Sequence, residues 1–214
     1  MGYSDMIIFI MEIVGTVAFA ASGAMTGIQK RMDLFGVNVL GVTTAVGGGL
    51  IRDLILGLNP PVMFQNPRYA LTAVITSTVL FIFMYVRAGV HTGRHAKMRE
   101  ILLFVGDTIG LGIFTVVGSH TAVTAGYGDN RFLLVFVGVM TGVGGGMLRD
   151  VLAGNMPYIL VKHVYAVASL SGALVYVLLL PYLSGLSCMM AGAVAVMLIR
   201  ILAAYYRWNL PRIP

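Results

Sequence analysis

Six charged residues sit inside runs of apolar sequence: Glu12, Arg52, Asp53, Asp107, Arg149 and Asp150. A charge at the centre of a membrane-spanning helix costs at least about 2.5–3.5 kcal/mol on insertion scales. Such residues therefore turn inward and find partners, and they mark ion or solute paths. Two triple glycines precede the Arg-Asp pairs, Gly47, Gly48 and Gly49 in one place and Gly144, Gly145 and Gly146 in the other. Glycine costs about 1 kcal/mol relative to alanine in a helix interior, so three in succession are expected to break the helix. In a membrane such a break is tolerated only where it is buried in protein or lines a wet cavity. The freed carbonyl and N–H groups can then coordinate ions or polar solutes. The competing reading is a packing notch that permits a close helix crossing. Hydroxyls at neighbouring levels are candidate polar lining: Thr16, Ser22, Thr43, Thr44, Thr108, Thr115, Ser119 and Thr141. Each can also bond to its own helix backbone.

These residues come in pairs. Gly-Gly-Gly-x-x-Arg-Asp occurs at 47–53 and again at 144–150, an offset of 97 that Pro60 and Pro157 also keep. A looser set, Glu12, Gly15, Phe19 and Gly23, matches Asp107, Gly110, Phe114 and Gly118 at an offset of 95. Steps of three, four and four residues put each set on one helix face. Tyr69-Ala70 and Tyr165-Ala166 follow at an offset of 96. The chain is an internal duplication.

The elements that must position these residues are membrane helices. Hydrophobic residues make up 58% of the 214 residues and charged ones only 10%, against about 25% charged in soluble domains. Mean hydropathy is +0.92. Apolar runs near 6–28, 34–58, 69–87, 100–122, 131–154, 160–181 and 184–206 are each long enough to span a bilayer core of about 30 Å. The expected fold is an all-α membrane protein with seven transmembrane helices. It is a single membrane domain over 1–214, with repeat one at 6–87, repeat two at 100–181 and a seventh span at 184–206. Three spans per repeat is an odd number, so the second copy enters from the opposite side, giving a 3+3 inverted repeat around the bilayer midplane. The first run lacks a basic leader and reads as a retained helix.

With seven spans the termini lie on opposite sides. One side carries Lys30, Arg31, Arg87, Arg94, Lys97, Arg99, Lys162, Arg200, Arg207 and Arg212; the other carries Arg68 and Arg131. The bias places the N-terminus outside and the C-terminus in the cytoplasm. It also accounts for the net charge of +6 without nucleic acid. Arg87, Arg94, Lys97 and Arg99 form the densest basic loop and are candidates for anionic lipid contact. At 1.5 Å per residue, Arg52 lies roughly 9 Å and Glu12 about 7 Å outside the midplane. The expected pairing is therefore Glu12 with Arg52 in an outer layer and Asp107 with Arg149 in an inner one. Asp53 and Asp150 are left to satisfy N–H groups near the breaks or to attract cations.

No enzyme is expected. His91, His95, His120 and His163 show no metal-ligand spacing, and Cys188 is a lone cysteine in an apolar run, so no metal site or cofactor follows.

The doubled Gly-Gly-Gly-x-x-Arg-Asp, the Phe-Ala-Ala-Ser-Gly-Ala run at 19–24 and the Gly-Leu-Gly-Ile-Phe run at 110–114 resemble the prokaryotic branch of the trimeric intracellular cation (TRIC) channel family, a branch also described as glycine-transporter-like. The resemblance covers nearly the whole chain. It implies a homotrimer in the cell (inner) membrane with one ion path inside each subunit and K⁺ as the main permeant ion. It also implies that the glycine motifs break the second and fifth helices beside that path. The Lys-Glu-Val sequence that animal members use for phosphoinositide is absent here. Residue pattern alone leaves a second function open, a secondary transporter of a small solute such as glycine, since inverted repeats and broken helices serve both.

Overall fold

A computed structural model describes residues 2–87, 94–161 and 164–208. The side chains of Arg87, Arg94, Lys97 and Arg99 lie outside the described part, and with them the candidate lipid contact. His91, Lys162, His163 and Arg212 lie outside it as well.

The helices are α1 (Tyr3–Gln29), α2 (Leu34–Leu56), α3 (Val62–Gln65), α4 (Arg68–Arg87), α5 (Arg94–Ala122), α6 (Arg131–Leu152), α7 (Tyr158–Val161), α8 (Val164–Leu179) and α9 (Gly185–Tyr205). A π-helical turn over Val123–Tyr127 extends α5. Among the described residues six helices are long and apolar enough to cross a membrane: α1, α2, α4, α5, α6 and α9; α8 is apolar but shorter. Of the expected sixth span, the described residues form α7 and α8, on either side of residues 162 and 163, which lie outside the described part. Outward faces are apolar: Leu71, Ile75, Val79 and Ile82 are all exposed along α4. That stripe at helical spacing suits lipid as solvent.

Local chemistry sets the helix ends. The Asp33 carboxylate accepts the Gly36 N–H at 2.7 Å at the start of α2. The Asn130 side chain accepts the Leu133 N–H at 3.0 Å at the start of α6. Past their C-termini, Gly57 (φ 70°) and Gly154 (φ 64°) turn left-handed, a conformation glycine adopts without steric cost. The chain then enters the short α3 or α7.

The packing repeats as the sequence does. Helix α1 lies against α2 and α4, and α5 against α6 and α8; α1 also packs on α5, and α2 on α6. Helix α9 packs on α5 and α8. Within each half the same glycine meets the same threonine. A Cβ on Gly23 would strike Thr44 Oγ1, 2.5 Å away, and one on Gly118 would strike Thr141 Oγ1.

Between the halves the contacts are reciprocal. Phe19 and Phe114, equivalent by sequence, pack against each other with centroids 5.3 Å apart and planes tilted by 37°. Gly15 is covered by Phe114, and Gly110 by Phe19. Gly48 faces the Thr141 carbonyl, and Gly145 faces the Thr44 carbonyl. Contacts in which residue i touches j′ and j touches i′ are those of a self-complementary interface.

Candidate functional site

The triple glycines do not break their helices. Helix α2 is continuous from Leu34 to Leu56 and α6 from Arg131 to Leu152, so the expected breaks at Gly47, Gly48, Gly49, Gly144, Gly145 and Gly146 are corrected. The physical reason is the crossing of α2 and α6. A Cβ on Gly48 would fall on the Thr141 carbonyl oxygen, and one on Gly145 on that of Thr44. Missing side chains let two backbones touch, and the close packing holds the helices intact despite the weak propensity of glycine. Gly47 and Gly144 face Leu148 and Ile51 of the opposite helix. The third glycines do something else. The nearest atom to a Cβ on Gly49 is Arg52 Nη2 at 3.8 Å, and near Gly146 stand the Tyr165 hydroxyl, Arg149 and Asp107. Both third glycines border a charged cluster, but only Gly146 is crowded by it, with the Tyr165 hydroxyl 3.0 Å from a Cβ position.

In the first half this cluster lines a cavity of about 40 Å³, room for roughly two or three waters. Its polar lining is Glu12, Thr16, Arg52, Asp53 and Tyr69, with Gly49, Met63 and Phe114 among the walls. The Tyr69 hydroxyl donates to Glu12 Oε2 at 2.5 Å. Arg52 Nε donates to Asp53 Oδ1 at 2.7 Å. Asp53 Oδ2 accepts the Val62 N–H at 2.8 Å, which ties the start of α3 back to α2. Glu12 and Arg52 share the cavity as the depth argument expects, but their direct ion pair is corrected. Arg52 is taken by its neighbour Asp53, and Glu12 by Tyr69.

The second half repeats these bonds and closes the space. Arg149 Nε donates to Asp150 Oδ1 at 2.8 Å, and Asp150 Oδ2 accepts the Tyr158 N–H at 2.8 Å. Asp53 and Asp150 therefore do satisfy N–H groups, on the short helices that follow and not at helix breaks. Here the inter-helix pair does form, with Arg149 Nη1 2.6 Å from Asp107 Oδ1. The same Nη1 donates to Ser22 Oγ at 2.5 Å, and Ser22 reaches Asp107 Oδ1 at 3.4 Å. Asp107, Arg149 and Tyr165 are at most 1% exposed. Aspartate is one methylene shorter than glutamate, and Tyr165 gains no bond to it: the Tyr165 hydroxyl and Asp107 Oδ2 have no hydrogen-bond partner.

Of the eight candidate hydroxyls, Thr16 alone lines the cavity. Thr44 and Thr141 donate to the carbonyls of Leu40 and Val137, each at 2.6 Å. Thr115 pairs with Ser169 at 2.7 Å, and Ser119 donates to the Leu134 carbonyl at 3.0 Å. Thr108 Oγ1 is buried and unpartnered. Thr43 is half-buried beside Gly47. Thr44, Thr115, Ser119 and Thr141 also pack against glycines of the facing helix, Gly23, Gly142, Gly138 and Gly118. One residue counted by sequence among the cytoplasmic charges belongs to the interior instead. Arg200 of α9 is only 5% exposed, with Nη2 4.0 Å from Asp107 Oδ2. Its position four turns into an apolar helix was the available signal. Among the described residues no group of acids, histidines and cysteine is placed to hold a metal.

Fold and site together define a polytopic helical membrane protein with polar clusters at the contact of two similar halves. A family model described as "Glycine transporter" matches residues 9–85 and 104–181. The chain is 36% identical over 211 residues to the UPF0126 inner membrane protein YadS of Escherichia coli K12, covering 96% of each chain. It is also 36% identical over 192 residues to a UPF0126 membrane protein of Deinococcus radiodurans, covering 89% of this chain and 84% of that one. Among solved structures it is similar to a prokaryotic TRIC channel crystallised in 0.5 M KCl, with 33% identity and TM-score 0.84 over 96% of this chain and 99% of that one. The TRIC orthologue of Rhodobacter sphaeroides gives 31% identity and TM-score 0.81 over 94% and 99%. A third, solved for the structural basis of conductance through TRIC cation channels, gives 36% identity and TM-score 0.82 over 96% of each chain. This chain is an integral membrane protein of the prokaryotic TRIC family.

Proposed function

We propose that this protein is a monovalent cation channel, chiefly for K⁺, with one conduction path inside each protomer of a homotrimer in the prokaryotic inner membrane. The observation that carries this reading is the pair of polar clusters along the α1, α2, α5 and α6 contact, one of them beside a cavity large enough to hold water. The likeness to TRIC cation channels over nearly the whole chain supports it. The path runs past Glu12, Thr16, Gly49 and Arg52 on one side of the α2–α6 crossing. It runs past Asp107, Gly146 and Arg149 on the other. Helix packing, not helix breakage, shapes it.

The seven-span inverted repeat belongs to the same proposal. Reciprocal contacts support a local twofold, and the family model matches twice. With α8 as a short span, each half holds three crossings, and an odd number puts the axis in the membrane plane. The N-terminus then lies outside, by the bias of basic residues. Arg52 and Arg149 would repel cations if left free; Asp53 and Asp107 with Asp150 neutralise them.

The description of the matching family model favours one alternative, a carrier of glycine. Reconstituted protein separates the two. A channel gives unitary currents carried by K⁺ with no coupling to glycine. Saturable glycine uptake into vesicles, without unitary steps in bilayers, would establish the carrier instead.

A further inference from the structure

The two halves differ in one respect that the duplication does not explain. The first-half cluster of Glu12, Arg52 and Asp53 holds two acids and one base beside an open cavity. The second-half cluster of Asp107, Arg149 and Asp150 has the same composition but receives an extra cation, Arg200, from α9, the helix outside the repeat. The Arg200 guanidinium carbon lies 4.8 Å from the Tyr165 ring centroid and 5.2 Å from that of Phe104. Both rings are repeat equivalents of rings at the first-half cluster, Tyr69 and Phe9. Arg68 stacks over Phe9 at 5.9 Å, but it is exposed, so the equivalent position there is open to exchange.

Arg200 is unusual in what it lacks. Its Nε and Nη2 are buried without a hydrogen-bond partner, as are Asp107 Oδ2 and the Tyr165 hydroxyl. A guanidinium with two of its three nitrogens buried and unpaired, near a carboxylate at 4.0 Å and on aromatic faces, is bound more as a free cation would be than as a structural arginine with a satisfied fork. Its surroundings supply what a small cation needs: a buried carboxylate oxygen, a phenolic oxygen and two π-faces.

We propose that the second half contains a seat for a small monovalent cation, formed by Asp107 Oδ2, the Tyr165 hydroxyl and the rings of Tyr165 and Phe104, and that Arg200 fills it as a tethered ion. While the guanidinium is seated, it excludes a mobile cation and keeps the second half sealed; withdrawn, it leaves a vacant cation site on the route. This inference rests on the cation-channel reading.

Chemical rescue tests it. Arg200→Ala removes the tethered ion and leaves a guanidinium-sized seat beside Asp107. In planar bilayers the variant should conduct K⁺ at least severalfold more than the wild-type protein. Guanidinium chloride at millimolar concentration should block the variant an order of magnitude more sensitively than the wild type. Arg200→Lys should keep the wild-type conductance, because it keeps a tethered cation. An independent readout uses folding alone. Low-millimolar guanidinium chloride should raise the melting temperature of Arg200→Ala in detergent, against a NaCl control, and leave that of the wild type unchanged. If Arg200→Ala does not fold, Arg200→Gln takes its place in both assays. Absence of unitary currents in both the wild type and Arg200→Ala would refute the channel reading itself. A conducting wild type, with a neutral variant that shows neither heightened block nor guanidinium stabilisation, would overturn the seat and leave the channel intact.

Discussion

Replacing Gly48 and Gly49 by alanine, one at a time, separates the notch from the break. A Cβ on Gly48 would overlap the Thr141 carbonyl oxygen, an obstacle of backbone that no rotamer change can move. Helices α2 and α6 would have to part by roughly 1 Å to restore van der Waals contact. Overpacking of this kind costs about 1–3 kcal/mol, and a rigid obstacle places Gly48→Ala at the upper end. Better helix propensity offsets about 1 kcal/mol of it, leaving a net loss of about 2 kcal/mol. At Gly49 the nearest atom is 3.8 Å from the new methyl, an ordinary contact. Only the propensity gain remains there, about 1 kcal/mol in favour of the variant. The two adjacent substitutions should thus differ by about 3 kcal/mol, or roughly 6–12 °C in melting temperature for a chain of this size. Thermal unfolding in detergent, followed by far-ultraviolet circular dichroism, reads the difference. If Gly49→Ala lost as much stability as Gly48→Ala, the glycines would be serving backbone freedom, and the notch would be the wrong account.

Three further outcomes follow from the clusters. Arg149→Gln leaves Asp107 and Asp150 without their buried partner and should cost about 3–5 kcal/mol, read as lost thermal stability of the purified protein. Asp150→Asn weakens the charge-assisted bond to the Tyr158 N–H by about 1–2 kcal/mol, which amide exchange at the start of α7 should report as faster opening. Glu12→Gln removes a carboxylate from the first-half cavity and should lower unitary K⁺ conductance, while Glu12→Asp should retain more of it.

The duplication and the apolar spans were legible because they are properties of residue type and spacing. So was the Asp107–Arg149 pair, since depth along a helix follows from a fixed rise. The fate of the glycines was not. Three glycines weaken a helix in isolation, and only the facing carbonyls of Thr44 and Thr141 show that close packing compensates. The partner of Arg52 was missed for a related reason. Neighbours along a helix do not face each other by spacing, yet the long arginine side chain folds back so that Nε meets the adjacent Asp53 carboxylate. Arg200 was assigned to the cytoplasmic face because it lies near the end of its apolar run; its burial depends on α9 packing against α5 and α8, a tertiary fact. The Asp150 carboxylate accepting the Tyr158 N–H and its repeat equivalent, Asp53 accepting the Val62 N–H, join residues eight and nine apart, a loop contact that helical spacing does not predict.

Thiol accessibility during current recording bears most directly on the path. Cys188, the sole cysteine, is fully buried away from the cavity, whereas Thr16, also buried, lines it, so Thr16→Cys introduces a thiol that a reagent reaches only by way of the first-half cavity. A cationic methanethiosulfonate reagent applied to open channels should then reduce unitary K⁺ current irreversibly, and leave the wild type untouched. Complete labelling of that cysteine with the K⁺ current unchanged would contradict a path through this cavity.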